Sequence, residues 1–202
     1  GSRPFLMEPA NRAHEPGIFA AAGFRPVARY FSARLSLVGA DAAPLPPPAG
    51  FAVAPWDGTD PEGLLGEVHA FSARAFSANA FYMPIPAAVF VEMYRPLMPL
   101  MRRELILLAR RSDGTLAGFL FAIPDYAEGP ATRTVILKTY ASNLPGVGRH
   151  LVHGCSAAAR ALGFETMIHA LIHDDNRSAD RSRREGGRLF RRYELLGLRL
   201  DV

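Results

Sequence analysis

Between residues 134 and 172 the apolar positions change period twice. Residues 135–141 form a mostly apolar run rich in strand formers. Asn143-Leu144-Pro145-Gly146-Val147-Gly148 breaks that run. Apolar residues then return at helical spacing, at Leu151, Val152, Cys155, Ala158, Ala159 and Leu162, and Gly163 supplies a helix stop. Residues 166–172 are a second apolar run. The pattern predicts a strand, a glycine turn, a crossover helix and a strand, which together make a right-handed parallel unit. Upstream, Pro16 opens a short predicted helix over 15–22, and residues 25–35 alternate as a strand does. A short strand is predicted at 51–54 and a helix at 61–76, with Leu64, Leu65, Val68, Phe71 and Ala75 toward one face. Residues 81–86 are an aromatic, proline-punctuated loop, and 86–102 a helix bent at Pro96 and Pro99. A hairpin of 105–111 and 116–123 turns at Ser112-Asp113-Gly114. A last helix is predicted around Tyr193. A sheet built from these strands alone keeps an open edge that calls for a further strand. Residues 24–35 are predicted to supply it, from the same chain or by exchange within a homodimer, because an open sheet edge would otherwise be exposed.

Composition narrows the function classes. The 202 residues suffice for one sizeable domain and an appendage. The formal charge of +4 is carried almost wholly by arginine, with Lys138 the one lysine. This suits an anionic ligand without demanding nucleic acid. The arginines between 177 and 192 have no aromatic RNA-binding pattern beside them, so no nucleic-acid partner is expected. The single cysteine, Cys155, excludes an internal disulfide framework and a cysteine metal cluster, and no metal-ligand spacing stands out elsewhere. No apolar run reaches the ~18 residues of a membrane span, and no signal peptide is visible, so no membrane association is expected and the cytoplasm is the default. Gly1 and Ser2 read as an expression remnant. Pro44, Pro46, Pro47 and Pro48 predict an extended linker across 38–50.

The glycine turn carries the candidate chemistry. It presents unpaired N–H groups at a helix N-terminus, an anion site suited to phosphate. Pro145 has no N–H, so the predicted donors run from Gly146 through Val147, Gly148, Arg149 and His150. The competing reading is a plain strand-to-helix turn. For proton transfer, His169 and His173 fall on one face of a regular strand, and His173 stands beside Asp174 and Asp175 as a candidate base.

Residues 143–148 resemble the Q/R-x-x-G-x-G/A motif of the GCN5-related N-acetyltransferases (GNATs), departing at Asn143. Tyr193-Glu194-Leu195-Leu196-Gly197-Leu198 resembles the Y-E-K-L-G-F ending of that family, and Asn176 stands where it often has an Asn. The resemblance spans about residues 50–200. It implies an α/β GNAT fold: a central mixed sheet splayed between its fourth and fifth strands, with helices on both faces. It further implies acetyl-CoA as co-substrate, with the pyrophosphate on Gly146–His150 and the pantetheine along the backbone of Leu137, Thr139 and Ala141. Asn176 would help hold the cofactor and Tyr193 would protonate the departing thiolate. The acceptor implied is a small-molecule amine, with the aromatic loop lining its pocket. Phe19-Ala20-Ala21-Ala22-Gly23-Phe24 also resembles the closing helix and turn of such a domain, and 21–24 and 195–198 read as two copies of one element. The implied division is a tail of a preceding domain at 3–37, a linker at 38–50 and a GNAT-like domain at 51–202, within a tandem protein. Three readings stand at this point: an N-acyltransferase, a catalytically inactive GNAT-like domain with a CoA-binding, structural or regulatory role, and an unrelated phosphate-binding module.

Overall fold

The computed structural model describes residues 3–39, 45, 46, 48–79 and 81–200. Residues 40–44 and 47 of the expected linker lie outside the described residues. Strands β1 (Arg25–Ser36), β2 (Ala52–Pro55), β3 (Ile106–Arg110), β4 (Leu116–Pro124), β5 (Thr134–Ser142), β6 (Thr166–His173) and β7 (Arg188–Gly197) follow the hydrogen-bonded order β2-β3-β4-β5-β6-β1-β7 in a mixed sheet with a single parallel pair. The chain divides into two compact units: Gly1–Val38, Pro124–Ile136 and Phe164–Val202 form the first, and Gly39–Ile123 and Leu137–Gly163 the second.

The second unit contains β2 (Ala52–Pro55), α2 (Pro61–Ala75), α3 (Ala87–Tyr94), β3 (Ile106–Arg110), most of β4 (Leu116–Pro124), the end of β5 (Thr134–Ser142) and α4 (Val147–Ala161). Each boundary has a local cause. Asp60 caps α2 by accepting from Gly63 N, and Pro61 occupies the first helical position. The expected bend at Pro96 is a change of helix type, from α3 to a 3-10 stretch at Arg95–Leu100. The β3–β4 hairpin turns on Asp113, whose Oδ1 accepts from Thr115 N and Thr115 Oγ1, and on Gly114 at φ 83°. Strand alternation then assigns the faces. Leu107 pairs with Leu120 and touches α4 at Gly154. Leu108 pairs with Phe119, whose ring meets Phe71 of α2 edge-on at 5.9 Å. Helices therefore cover both faces of this part of the sheet.

The first unit contains α1 (Glu15–Ala21), β1 (Arg25–Ser36), the start of β5, β6 (Thr166–His173), α5 (Arg177–Arg184) and β7 (Arg188–Gly197). Strand β1 lies between β6 and β7, antiparallel to both, so residues 25–36 join the sheet from the same chain as expected. The helix expected around Tyr193 is not formed. Helix α5 ends at Arg184, Gly186 and Gly187 turn the chain, and Arg188–Gly197 is a strand. Aromatic and apolar side chains at Leu189, Phe190, Tyr193, Leu195 and Leu196 favour a pleated surface, and β1 offers the edge on which to pair. Residues 21–24 and 195–198 are therefore not copies of one element. Ala21 ends a helix, Gly197 ends a strand, and Gly197 pairs with Arg25 across the ladder.

Candidate functional site

The glycine turn joins β5 to α4 inside the second unit. Gly146 is the N-cap of α4 at φ 83°, a left-handed conformation that favours glycine, and no side chain caps the helix. Asn143 N donates to Ala117 O at 3.0 Å and fixes the turn to β4. Gly118 makes room for it: a Cβ there would lie 2.6 Å from Val147 Cγ1 and 2.8 Å from Ala141 O. The N–H groups of Arg149 and His150, expected as anion donors, both bond to Gly146 O, at 3.0 and 3.2 Å. The first helical turn closes on itself there. Among the described residues the N–H groups of Gly146, Val147 and Gly148 have no acceptor, which shortens the predicted donor set to these three. Gly146 and the side chain of Arg149 are exposed, while Val147 and Gly148 are buried. The His150 ring sits between Gly146 O and Pro46 O, at 3.2 and 3.0 Å, so part of the proline-rich segment rests against α4. Cys155 is buried mid-helix, its thiol pushed up to about 12 by burial, and it packs as an apolar side chain.

On the α2 face of the same unit lies a cavity of about 240 Å³. Its wall is mostly aromatic and aliphatic, with Phe76, Tyr82, Phe90, Tyr94, Phe119 and Phe121 contributing rings. The expected aromatic loop thus lines a pocket. His69 Nε2 bonds Ile85 O at 2.8 Å and ties that loop to α2. Lys138 and Thr139 of β5 reach the same cavity. Burial lowers the pKa of Lys138, and among the described residues no acidic group offsets this. Reading the sequence for site residues missed Lys138. Its one signal was a lone lysine within an apolar strand of an arginine-rich chain.

The predicted acid and base lie in the first unit. Cross-strand pairing puts His173, Tyr30 and Tyr193 in one row over β6, β1 and β7. The His173 and Tyr30 rings meet edge-on at 5.0 Å. Tyr193 donates its hydroxyl proton to Glu8, whose side chain is fully buried and pairs with Arg191 at 2.7 Å. Burial, and then the Glu8 carboxylate, push the Tyr193 phenol far above its ordinary range. His173 Nδ1 accepts from Asp175 N at 3.1 Å, so the neutral ring carries its proton on Nε2 and its basic nitrogen is already held. His169 and His173 do not share a face. Leu171 adopts φ 53°, and the β1–β6 register slips between Phe31 and Ala33. That bulge sets His169 opposite Ala33 and His173 opposite Tyr30, on opposite sides of the sheet. His169 is buried, bonds Ser182 Oγ at 2.9 Å, and is lowered to about 4 by burial. Asn176 caps α5, its Oδ1 accepting from Ser178 N at 3.0 Å. Among the described residues no group of three His, Cys, Asp or Glu side chains is placed to hold a metal ion, and no helix is long and apolar enough to cross a membrane.

Comparison with solved structures decides the fold. A GCN5-related N-acetyltransferase from Sphaerobacter thermophilus superposes with a TM-score of 0.65 over 93% of this chain, at 18% identity. The fold is that of the GCN5-related N-acetyltransferases. A GCN5-related glucosamine N-acetyltransferase region of a fungal multi-domain GH3 β-N-acetylglucosaminidase aligns over 93% of the chain with a TM-score of 0.62 and 14% identity. A tandem GNAT protein from the clavulanic acid biosynthesis pathway aligns over 95% with a TM-score of 0.58 and 16% identity. The chain spans 56%, 23% and 60% of the lengths of these three proteins. No protein-family model and no curated protein sequence matches it. The glycine turn lies at a strand-to-helix junction, between β5 and α4. All but the last residue of the ending Y-E-L-L-G-L lie on a strand, β7.

Proposed function

We propose that the chain is the acyl-transferring part of an acetyl-CoA-dependent N-acyltransferase acting on a small amine. The observation that carries this reading is the turn at 143–148, which in a GNAT fold follows β5 with three N–H groups that lack an acceptor among the described residues, in the same unit as an aromatic cavity reached by β5. A diphosphate at Gly146, Val147 and Gly148 gains those donors and the positive end of α4, and the exposed Arg149 adds charge. Leu137, Thr139 and Ala141 would present backbone groups to the pantetheine. In the transfer itself the neutral amine attacks the thioester carbonyl. A C–N bond forms, the C–S bond breaks, and the proton lost by the amine balances the one gained by the thiolate.

A second reading, a GNAT-like domain that binds CoA without catalysis, is favoured by Tyr193 and His173. The acid proton of one is committed to Glu8, and the basic nitrogen of the other to Asp175 N. Asn176 is likewise occupied as a helix cap. On either reading we regard the chain as part of a tandem protein, with 3–37 the tail of a preceding domain and 51–202 the GNAT-like domain. Calorimetry with CoA and a thiol-release assay with acetyl-CoA and an amine panel separate the readings. CoA binding with thiol release supports the enzyme, and CoA binding without release supports the second reading. No CoA binding refutes both. Arg149→Glu is expected to weaken CoA about tenfold, from reversal of one charge beside the helix N-terminus.

A further inference from the structure

The cavity of the second unit combines an apolar wall with one cation, Lys138, that has no partner among the described residues. Lys138 is half-buried, and among the described residues it has neither a hydrogen bond nor a carboxylate within ion-pair distance. The other polar side chains of the wall are neutral or already engaged. His69 is bonded to Ile85 O, and Ser72, Tyr82, Tyr94 and Thr139 bring hydroxyl groups rather than carboxylates. A charge taken from water into an apolar wall is unfavourable unless it is paired. No residue of the wall supplies the pair.

We propose that the cavity takes a small ligand with a single-ring or branched apolar body and one carboxylate, and that the carboxylate pairs with Lys138. Three observations define this class. The rings of Phe76, Phe90, Phe119 and Phe121 accept an apolar body. The volume of about 240 Å³ is below the ~300–1,000 Å³ of sites for drug-sized molecules, which limits the body to about one ring. The unpaired ammonium repels a lone cationic amine and attracts an anion. If the chain is an N-acyltransferase, and the assignment as acceptor rests on that reading, the acceptor is an apolar or aromatic amino acid rather than a simple amine.

The test uses the whole chain without acyl-CoA. Calorimetric titrations are made with 3-phenylpropionate, L-phenylalanine, 3-phenylpropionamide and phenethylamine, on the wild type and on Lys138→Met. The two carboxylates are expected to bind at least about tenfold more tightly than the amide or the amine, and to lose about tenfold or more in Lys138→Met. Lys138→Met is expected to melt at or above the wild-type temperature, because an unpaired charge gives way to an apolar chain of similar length. Carboxylate affinity should fall as pH rises through a range below that of an ordinary lysine. His69 on α2, Tyr82 on the loop and Tyr94 on α3 are the other titratable groups facing the cavity. Equal binding of amide and carboxylate overturns the proposal. So does wild-type carboxylate affinity in a folded Lys138→Met, tightest binding by phenethylamine, or no binding by any of the four. Because no acyl-CoA is present, carboxylate selectivity in a chain that fails to bind CoA would uphold the Lys138 site while removing the acyltransferase reading.

Discussion

Gly118 of β4 is the position where one added methyl group tests the geometry of the glycine turn. In Gly118→Ala the new Cβ would lie 2.6 Å from Val147 Cγ1, 2.8 Å from Ala141 O and 3.1 Å from Ser142 Cβ. A valine methyl can rotate aside, but the Ala141 carbonyl belongs to the backbone of β5 and cannot. Relief therefore requires β4 to part from the end of β5, which carries the turn with it. Overpacking of this kind costs about 1–3 kcal/mol, or a fall of roughly 2–12 °C in Tm for a chain of this size. Adding Val147→Ala removes the 2.6 Å contact but leaves the 2.8 Å one and opens a cavity at a fully buried side chain, so it should not return the protein to wild-type stability. Gly66 of α2 is the control. A methyl group added there would have no atom within 4 Å, and its φ is not positive, so Gly66→Ala should gain about 0.5–1 kcal/mol from helix propensity. Differential scanning fluorimetry reads the four proteins, and calorimetry with CoA shows whether the displaced turn loses affinity. A Gly118→Ala protein that melts with the wild type would refute the close approach of β4 to the turn.

Further outcomes follow from three buried groups. His169, lowered to about 4 against an ordinary value of 6.5, stays neutral when folded while the unfolded chain takes up a proton. Its contribution is present above pH ~6.5 and is lost as pH falls toward ~4, by up to about 3 kcal/mol. Glu185, raised by burial 4.0 Å away, works in the opposite sense, so urea unfolding of the wild type and His169→Gln across that pH range isolates the histidine. Glu8→Ala should cost about 3–5 kcal/mol by stripping Arg191, Tyr193 and Phe5 N of a fully buried carboxylate. Glu8→Gln should move the phenolate absorbance of Tyr193 to lower pH, and an unmoved titration would exclude the contact. Cys155 should resist a thiol reagent at pH 8 in the native protein and react once urea unfolds it.

Much of the local structure is determined by the sequence itself. Period-2 and period-3.6 patterns mark β5, α4 and β6, Pro61 starts a helix, and Asp113-Gly114 makes a turn, because each depends on residues close by in the chain. The alternation of residues 25–35 also marked a strand, and that strand enters the sheet as β1. Tertiary contacts decided the rest. Arg188–Gly197 is a strand because β1 offers it an edge, which no window of its own sequence contains. The bulge at Leu171 turns His169 and His173 apart, since Ser32 of a distant strand accepts from Leu171 N and fixes the extra residue. Tyr193 has its hydroxyl engaged as a hydrogen-bond donor to Glu8, a residue at the other end of the chain. Lys138 gains its isolation only when α2 and α3 close an apolar wall around it. Periodicity reports which face of an element is buried, but not which distant group will meet it there.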